Sequence, residues 1–193
     1  MLAAVYVLIT YVGQRTEVSG HSMEPTLQHG DNLIVDKISY RFREPERYEI
    51  IVFPYQYKEN TYYIKRIIGL PGETVEIIDG EVYINGELLA DEHYGKEVML
   101  DPGIAAESIT LGDDEYFVLG DNRNHSSDSR DPSVGVLHRK DLIRLSPCCS
   151  VGSIECPLTS VRCPTYVIRT YTAASKIAIY TSHPKISLKI LLS

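Results

Sequence analysis

Two dipeptides, Asp79–Gly80 and Asn85–Gly86, constrain the fold of this chain more than any other feature of the sequence. Each lies between short, largely apolar runs in the segment GETVEIIDGEVYINGELLA. Asp-Gly and Asn-Gly sequences readily adopt the positive φ angles that two-residue hairpin turns require. They therefore predict a meander of antiparallel strands over about residues 74–90.

Short apolar runs on either side of this meander extend the same pattern. They are DNLIVDKISY, YEIIVFPYQY, NTYYIKRIIGLPGE and EYFVLGD. Each is rich in β-branched and aromatic residues and is bounded by Gly, Pro, Asn or Asp, as strands usually are. No apolar repeat at helical spacing runs for long. We therefore predict a mainly β fold whose strands are mostly antiparallel.

The composition is that of an ordinary globular domain followed by a different C-terminal segment. The 193 residues carry a net charge of −7, which argues against nucleic acid as the main partner. Residues 146–193 contain one acidic residue, five basic residues and all four cysteines. The rest of the chain therefore has no thiol nucleophile, disulfide or Cys-ligated zinc site. The cysteine spacing in the tail does not match a CxxC…CxxC zinc pattern either.

The N-terminal segment MLAAVYVLITYVGQR is apolar and uncharged over residues 2–12. A spanning helix needs about 20 such residues, and no positive region precedes the run as in a signal peptide. Three interpretations remain: the end of a truncated membrane anchor, a buried first strand, or an uncleaved targeting segment. Under the first interpretation Arg15 marks the membrane edge.

Ser22 is the first candidate for catalysis. It lies in the polar loop SGHSMEPTL, between Gly20 and Pro25. A serine on a rigid turn can present its hydroxyl outward while nearby amide N–H groups point at one position and hold an oxyanion. The same local sequence is also typical of a surface turn or of a helix N-cap, so local sequence leaves both alternatives open.

Lys65 is the second candidate, in the run TYYIKRIIG. In a strand it shares a face with Tyr63 and Ile67, and the opposite face is also mainly apolar. Burial there would disfavour the ammonium and lower its pKa, so that Lys65 could act as a general base for a serine. The alternative is a lysine whose stem packs against the sheet while its head reaches water.

The loop LGDNRNHSSDSRD, residues 119–131, is the third candidate. Such a loop can bond its own backbone, and Asp128 and Arg130 could form an ion pair. A calcium loop through Asp121, Asn122 and Asp128 is an alternative, but the bidentate glutamate of an EF-hand is missing.

A Ser–His–Asp arrangement is a further alternative. His21 adjoins Ser22, but neighbouring side chains in an extended loop diverge, so His21 is a poor base. His125 with Asp121 is conceivable, because triads are defined in space and not by sequence order.

The three candidate segments occur in one chain and in a fixed order. In both the segments and their order, the chain resembles bacterial type I signal peptidases. SGHSMEPTL, YYIKRIIGLPGE and GDNRNHSSDSRD carry the resemblance, and YEIIVFPY and GVLHRKDLI add to it. The resemblance spans about residues 5–143, and the sequence is most similar to the single-anchor enzymes of Gram-positive bacteria. Members of that family are membrane-bound serine proteases that remove signal peptides.

The resemblance implies a role for each matching residue. Ser22 would be the nucleophile and Lys65 the general base, with no metal or cofactor. Gly20 stands where some members have a serine, so that hydroxyl is absent from the oxyanion site. The remaining matches would support the site or line its pockets: Ser126 positions the lysine, Asp128 and Arg130 form an ion pair, Arg66 has a structural role, and Met23, Leu27, Tyr63 and Ile64 line pockets for small side chains.

The family fold is mainly β, with an antiparallel catalytic core and a smaller inserted β lobe behind a transmembrane segment. On this basis we expect a partial membrane anchor over residues 1–14, which we interpret as truncated. The core would comprise residues 15–73 and 116–143, and the inserted lobe residues 74–115. Residues 144–193 would form an atypical tail.

The resemblance also implies a substrate class and a location. Secreted preproteins would be cut after small residues at Ala-X-Ala sites, with specificity set by pocket shape. The enzyme would be a single-pass protein of the cell membrane with its catalytic domain on the extracytoplasmic side, in contact with the bilayer. The oligomeric state is left open.

The tail departs from the family. Family members usually continue after the position of Ile143 with a glycine–alanine stretch that closes the core, whereas this chain continues RLSPCCSVGSIECPLTS. We hypothesise that this segment is a frameshifted or otherwise foreign tail, and in that case the last core strand would be missing.

Two other functions remain in competition. A self-cleaving repressor-type protease also pairs serine with lysine, but it would be soluble and would carry a DNA-binding or dimerisation region. The second is an inactive, membrane-anchored binding module that keeps the fold. The presence of Ser22, Lys65 and Asp128 argues against the inactive module.

Overall fold

The computed structural model describes residues 13–89, 94–95, 97–145 and 189–192. Twelve strands and three short 3₁₀ helices lie in these ranges. The 3₁₀ helices are Ser39–Arg41, Gly103–Ala106 and Arg139–Asp141. The strands are β1 Gly13–Gly20, β2 Asn32–Asp36, β3 Ile50–Pro54, β4 Tyr62–Gly69, β5 Thr74–Ile78, β6 Glu81–Ile84, β7 Glu87–Leu88, β8 Ile109–Thr110, β9 Glu115–Leu119, β10 Leu137–His138, β11 Ile143–Leu145 and β12 Lys189–Leu192.

Eight strands form the larger sheet, in the order β10-β9-β4-β12-β1-β2-β11-β3. Because β3 also pairs with β4, this sheet curls round and closes on itself. Its pairings are antiparallel, except that β12 runs parallel to both β1 and β4. The predicted mainly β, mostly antiparallel fold is confirmed.

Both faces of the closed sheet are buried, because successive side chains along a strand alternate between faces. Ile50 and Val52 of β3 pack on one face with Val18 and Val35, and Ile51 and Phe53 pack on the other. The four core positions of β3 are therefore all apolar. This arrangement explains why YEIIVFPY is a continuous apolar run and not an alternating one.

The smaller sheet has four antiparallel strands in the order β7-β6-β5-β8. The turn between β5 and β6 has positive φ at Asp79 and Gly80, and the turn between β6 and β7 has positive φ at Asn85 and Gly86. The predicted meander is therefore confirmed. The segment that follows the meander contributes the short strand β8, which completes the sheet beside β5.

The two ends of the chain are only partly described. Residues 1–12, which carry most of the expected membrane anchor, lie outside the described residues, and β1 begins at Gly13. No helix within the described ranges is long and apolar enough to cross a bilayer. Of the tail after Leu145, the described part is β12.

Gly69 joins the two sheets. It ends β4, where a register shift interrupts the pairing with β9. A Cβ placed here would lie 2.6 Å from Val75 Cγ2, 2.8 Å from Leu111 Cδ1 and 3.0 Å from Phe117 Cβ. These neighbours belong to the apolar cluster beneath the smaller sheet. The absence of a side chain at Gly69 therefore lets the smaller sheet pack against the larger one.

We predict that Gly69→Ala lowers the free energy of unfolding by about 1–3 kcal/mol, because overpacking a tight core forces its neighbours apart. Gly112→Ala is the matched control, since a Cβ there meets only the side chain of Glu115, at 3.3 Å or more. Chemical denaturation of both variants measures the difference. Equal stability of the two variants would show that the junction at Gly69 tolerates a side chain.

Candidate active site

Ser22 lies in a compact turn directly after β1. The turn is closed by backbone hydrogen bonds from Glu24 N to His21 O at 3.1 Å and from Leu27 N to Met23 O at 2.9 Å. Ser22 itself is only 1% exposed. Its hydroxyl points into the protein, where Lys65 Nζ lies 2.6 Å from Ser22 Oγ. The structure therefore brings together two candidates that are 43 positions apart in the sequence.

Lys65 is fully buried in β4, whereas the strand pattern left a lysine whose head reaches water as an alternative. The ring of Tyr63, two residues before it on the same face, lies 5.4 Å from Nζ. Burial lowers the pKa of Lys65 from 10.5 to about 8, against the opposing effect of the Asp128 and Asp121 carboxylates; the Arg130 guanidinium lowers it further. A substantial fraction of Lys65 is therefore neutral near pH 8, and neutral amine nitrogen can accept a proton.

Asp128 and Arg130 form the predicted ion pair beside Lys65. Arg130 Nε donates to Asp128 Oδ1 at 2.8 Å, and Arg130 Nη2 donates to Oδ2 at 2.9 Å. Asp128 Oδ2 also accepts from Gly120 N at 3.0 Å, and Arg130 Nη1 donates to Asp101 O at 3.0 Å. Two parallel charge-assisted bonds are a rigid arrangement, so this pair holds the loop after β9 in one shape.

Arg66 and Asp121 form a second buried pair on the other side of β4. Arg66 Nε and Nη2 donate to the two carboxylate oxygens of Asp121 at 2.8 and 2.6 Å. Arg66 Nη1 donates to Tyr48 O at 2.7 Å, and its guanidinium carbon lies 3.6 Å from the ring centroid of Tyr94. Thr26 Oγ1 donates to Asp121 as well, which connects the turn after Ser22 to the loop after β9.

Gly120 sets how closely that loop approaches Ser22. A Cβ at Gly120 would lie 2.2 Å from Ser126 Oγ and 2.6 Å from Ser22 O. Asn122 N donates to Ser22 O at 2.9 Å, and Asn122 Nδ2 donates to His21 O at 3.2 Å. The loop and the turn that carries Ser22 are thus fixed to each other through backbone contacts that a side chain at Gly120 would prevent.

Ser126 lies within this contact region, and its Oγ is buried without a hydrogen-bond partner among the described residues. Its predicted role in positioning Lys65 stays a prediction. The four residues predicted to line substrate pockets, namely Met23, Leu27, Tyr63 and Ile64, are all buried in the two core clusters of the larger sheet. Their predicted contact with substrate likewise stays a prediction.

The histidine alternative is not assembled by this structure. His21 Nδ1 lies 2.7 Å from Glu24 Oε1, and the His21 side chain is 67% exposed. His125 is exposed, and both carboxylate oxygens of Asp121 bind Arg66. The calcium alternative meets the same obstacle, because Asp121 and Asp128 each face a guanidinium.

Three contributors to the site were missed from the sequence. Asp121 was considered only with His125 or calcium, and its pairing with Arg66 was not predicted. Gly120 and Thr26 were not singled out at all. The sequence signal for Gly120 was its place at the end of an apolar strand, directly before a polar loop; Thr26 carries no such signal, because its contact with Asp121 is formed only by the fold.

A buried lysine within hydrogen-bonding distance of a buried serine, on a closed β sheet, defines a candidate serine hydrolase site of the Ser/Lys type. The family model "Signal peptidase, peptidase S26" matches residues 1–147, and the chain belongs to this family.

Two sequence relatives agree with this assignment. The chain is 46% identical over 137 residues to the probable signal peptidase I-2 of Synechocystis, a match that covers 67% of this chain and 61% of the relative. It is 34% identical over 139 residues to signal peptidase I V of Bacillus subtilis, and this match covers 66% of this chain and 79% of the relative. A crystal structure of a signal peptidase I from Enterococcus faecalis is 33% identical, with a TM-score of 0.41, and covers 54% of this chain and 97% of that one. At 61%, the match to the Synechocystis protein spans less than two thirds of the length of that relative.

We predict that Asp121→Asn destabilises the protein by about 3–5 kcal/mol, because it leaves the buried Arg66 charge without a counter-ion. Glu44→Gln is the matched control, since Glu44 pairs with Arg139 at the surface, where its side chain is 71% exposed. Glu44→Gln should lower the free energy of unfolding by no more than about 1 kcal/mol. Thermal and denaturant unfolding measure both effects, and losses of similar size would contradict a structural role for the buried pair.

Proposed function

We propose that this protein is a membrane-bound serine endopeptidase that removes signal peptides from secreted preproteins, with Ser22 as nucleophile and Lys65 as general base. The observation that carries the proposal is the 2.6 Å contact between Lys65 Nζ and Ser22 Oγ, with both residues buried. Membership of the signal peptidase family supports the reaction class and the substrate class.

The mechanism follows from the protonation state of Lys65. In the neutral form its Nζ accepts the proton of the Ser22 hydroxyl while Oγ attacks the carbonyl carbon of the scissile peptide bond. The resulting ammonium returns a proton to the leaving amine as the C–N bond breaks. A water molecule, deprotonated in the same way, then hydrolyses the acyl-enzyme. Because the pKa of Lys65 is about 8, the fraction able to accept a proton grows as pH rises through 8.

The oxyanion is proposed to be held by the backbone amide of Ser22. Gly20 contributes no hydroxyl, and its own amide donates to His29 Nδ1 at 3.2 Å. A second donor must therefore come from another backbone group or from water. This arrangement relies on the rigidity of the Ser22 turn, which the loop after β9 supports through Asn122.

Specificity for small residues is proposed to follow from pocket shape. Met23, Leu27, Tyr63 and Ile64 flank the two catalytic residues in sequence, and all four are apolar or aromatic. Shallow pockets bounded by such side chains would accept alanine at the first and third positions before the cut and exclude larger residues. Ala-X-Ala sites are the expected substrates, and Ser126, Asp128, Arg130 and Arg66 are the proposed supporting residues.

We further propose the division of the chain and its location. Residues 15–73 and 116–143 would be the catalytic core and residues 74–115 the inserted lobe, which is supported by the separate four-stranded sheet that residues 74–110 contribute. A single-pass anchor at residues 1–14 would keep the core on the extracytoplasmic face of the cell membrane, where preproteins emerge.

Cleavage of a preprotein with an Ala-X-Ala site, in detergent, tests the proposal. We expect Ser22→Ala and Lys65→Ala each to reduce kcat/KM by on the order of 10³-fold or more, since each removes an essential participant in the chemical step. Lys58→Ala, at an exposed lysine, should cleave like the unmodified chain.

The outcomes separate the competing functions. Unchanged cleavage by Lys65→Ala would exclude the lysine as base. A complete absence of cleavage by the unmodified chain, with binding of the preprotein retained, would instead favour the inactive binding module.

A further inference from the structure

β12 occupies an unusual place in the larger sheet. It lies between β1 and β4 and runs parallel to both, whereas the other described pairings of this sheet are antiparallel. Its four residues, Lys189–Leu192, lie opposite Glu17–Gly20 of β1, and Ile190 also lies opposite Tyr62 of β4. The strand comes from the tail, after the part of the chain that matches the family.

The position of β12 leads directly to the candidate active site. β1 ends at Gly20, two residues before Ser22, and β4 carries Lys65 three residues after Tyr62. Because β12 is parallel to both strands, it runs toward Ser22 and Lys65. Leu192 pairs with Gly20 and is therefore the residue of β12 nearest to Ser22 in this register. An extended chain that continued in this direction would bring its next peptide bonds to Ser22.

The space between β1 and β4 is one strand wide. Neighbouring strands lie about 4.8 Å apart, so two strands separated by a third lie about 9–10 Å apart. Without β12 the facing N–H and C=O groups of β1 and β4 would be two open edges. Such edges bind extended peptides by strand addition, in which backbone bonds provide affinity.

We propose that residues 189–192 occupy the slot between β1 and β4 as an internal inhibitor, which a preprotein must displace before it is cut. The inference rests on the proposed function and adds self-inhibition by the tail. Lys-Ile-Leu-Leu has no small residue at the positions opposite Ser19 and Gly20, so it fills the slot without offering a site that small-residue pockets would accept.

Proline at Ile190 tests the proposal, because proline has no amide hydrogen to donate to a sheet and disrupts strand pairing. The full chain carries Ser22→Ala so that the probe is not cut. The probe is a dye-labelled peptide with an apolar segment followed by Ala-X-Ala. We expect Ile190→Pro to lower its Kd at least tenfold. Ile179→Pro, in the tail but outside β12, is the matched control and should leave the Kd unchanged.

Addition in trans supplies the complementary measurement. The synthetic peptide SLKILLS, residues 187–193, should compete with the probe for the Ile190→Pro chain, and a scrambled peptide should not. An equal or weaker affinity of Ile190→Pro for the probe, with the Ile179→Pro control intact, overturns the proposal.

A second measurement does not depend on the folding of the proline variant. In the Ser22→Ala chain, hydrogen exchange of residues 189–192 should accelerate when the probe saturates the protein, while residues 17–20 stay protected by the new strand. Unchanged exchange of the tail with probe bound shows that the probe binds elsewhere, and the inference fails.

Cleavage assays on chains that retain Ser22 separate the two proposals. If Ile190→Pro strengthens probe binding but no chain cuts the peptide, the slot inference stands and the peptidase proposal fails. If the unmodified chain cuts and Ile190→Pro changes neither binding nor kcat/KM, the peptidase proposal stands and the slot inference fails.

Discussion

The burial of Lys65 is the constraint on which the rest of the site depends. An ammonium loses its hydration in the interior, and here that loss outweighs the attraction of Asp128 and Asp121, so the pKa falls to about 8. Both carboxylates also face other cations. Arg130 and Arg66 provide them through two-point contacts. The two ion pairs therefore hold the loop after β9 in place and also limit how strongly the carboxylates stabilise the charged lysine.

The closed sheet gives this electrostatic arrangement its geometry. β4 supplies Lys65 and Arg66 on opposite faces, so adjacent residues meet different partners. The turn after β1 supplies Ser22, and the loop after β9 contacts that turn through Asn122 and past Gly120. β12 lies between β1 and β4. The segment of sheet closest to Ser22 and Lys65 is thus the one that β12 of the tail completes.

Local features of the fold were predictable from sequence, and non-local ones were not. The hairpins follow from Asp79–Gly80 and Asn85–Gly86 because positive φ is a property of those dipeptides. Strand alternation left both a buried and a water-reaching Lys65 open, and the fold buries it. The partnership of Ser22 with Lys65 came from resemblance to a family, since spacing alone does not define it. The Arg66–Asp121 pair and the parallel strand β12 were missed, because each joins distant segments without a local signal.

The central claim is that Lys65 is poised to be neutral beside Ser22, and direct titration of its side chain tests that claim most directly. Lysine labelled with ¹³C at Cε, with Lys65 assigned by comparison with Lys65→Ala, reports protonation through the chemical shift of that carbon. The account predicts a midpoint near pH 8, well below the ordinary value of 10.5. A midpoint above 10 would contradict it, because Lys65 would then be almost entirely charged even at pH 8 and rarely able to accept the Ser22 proton.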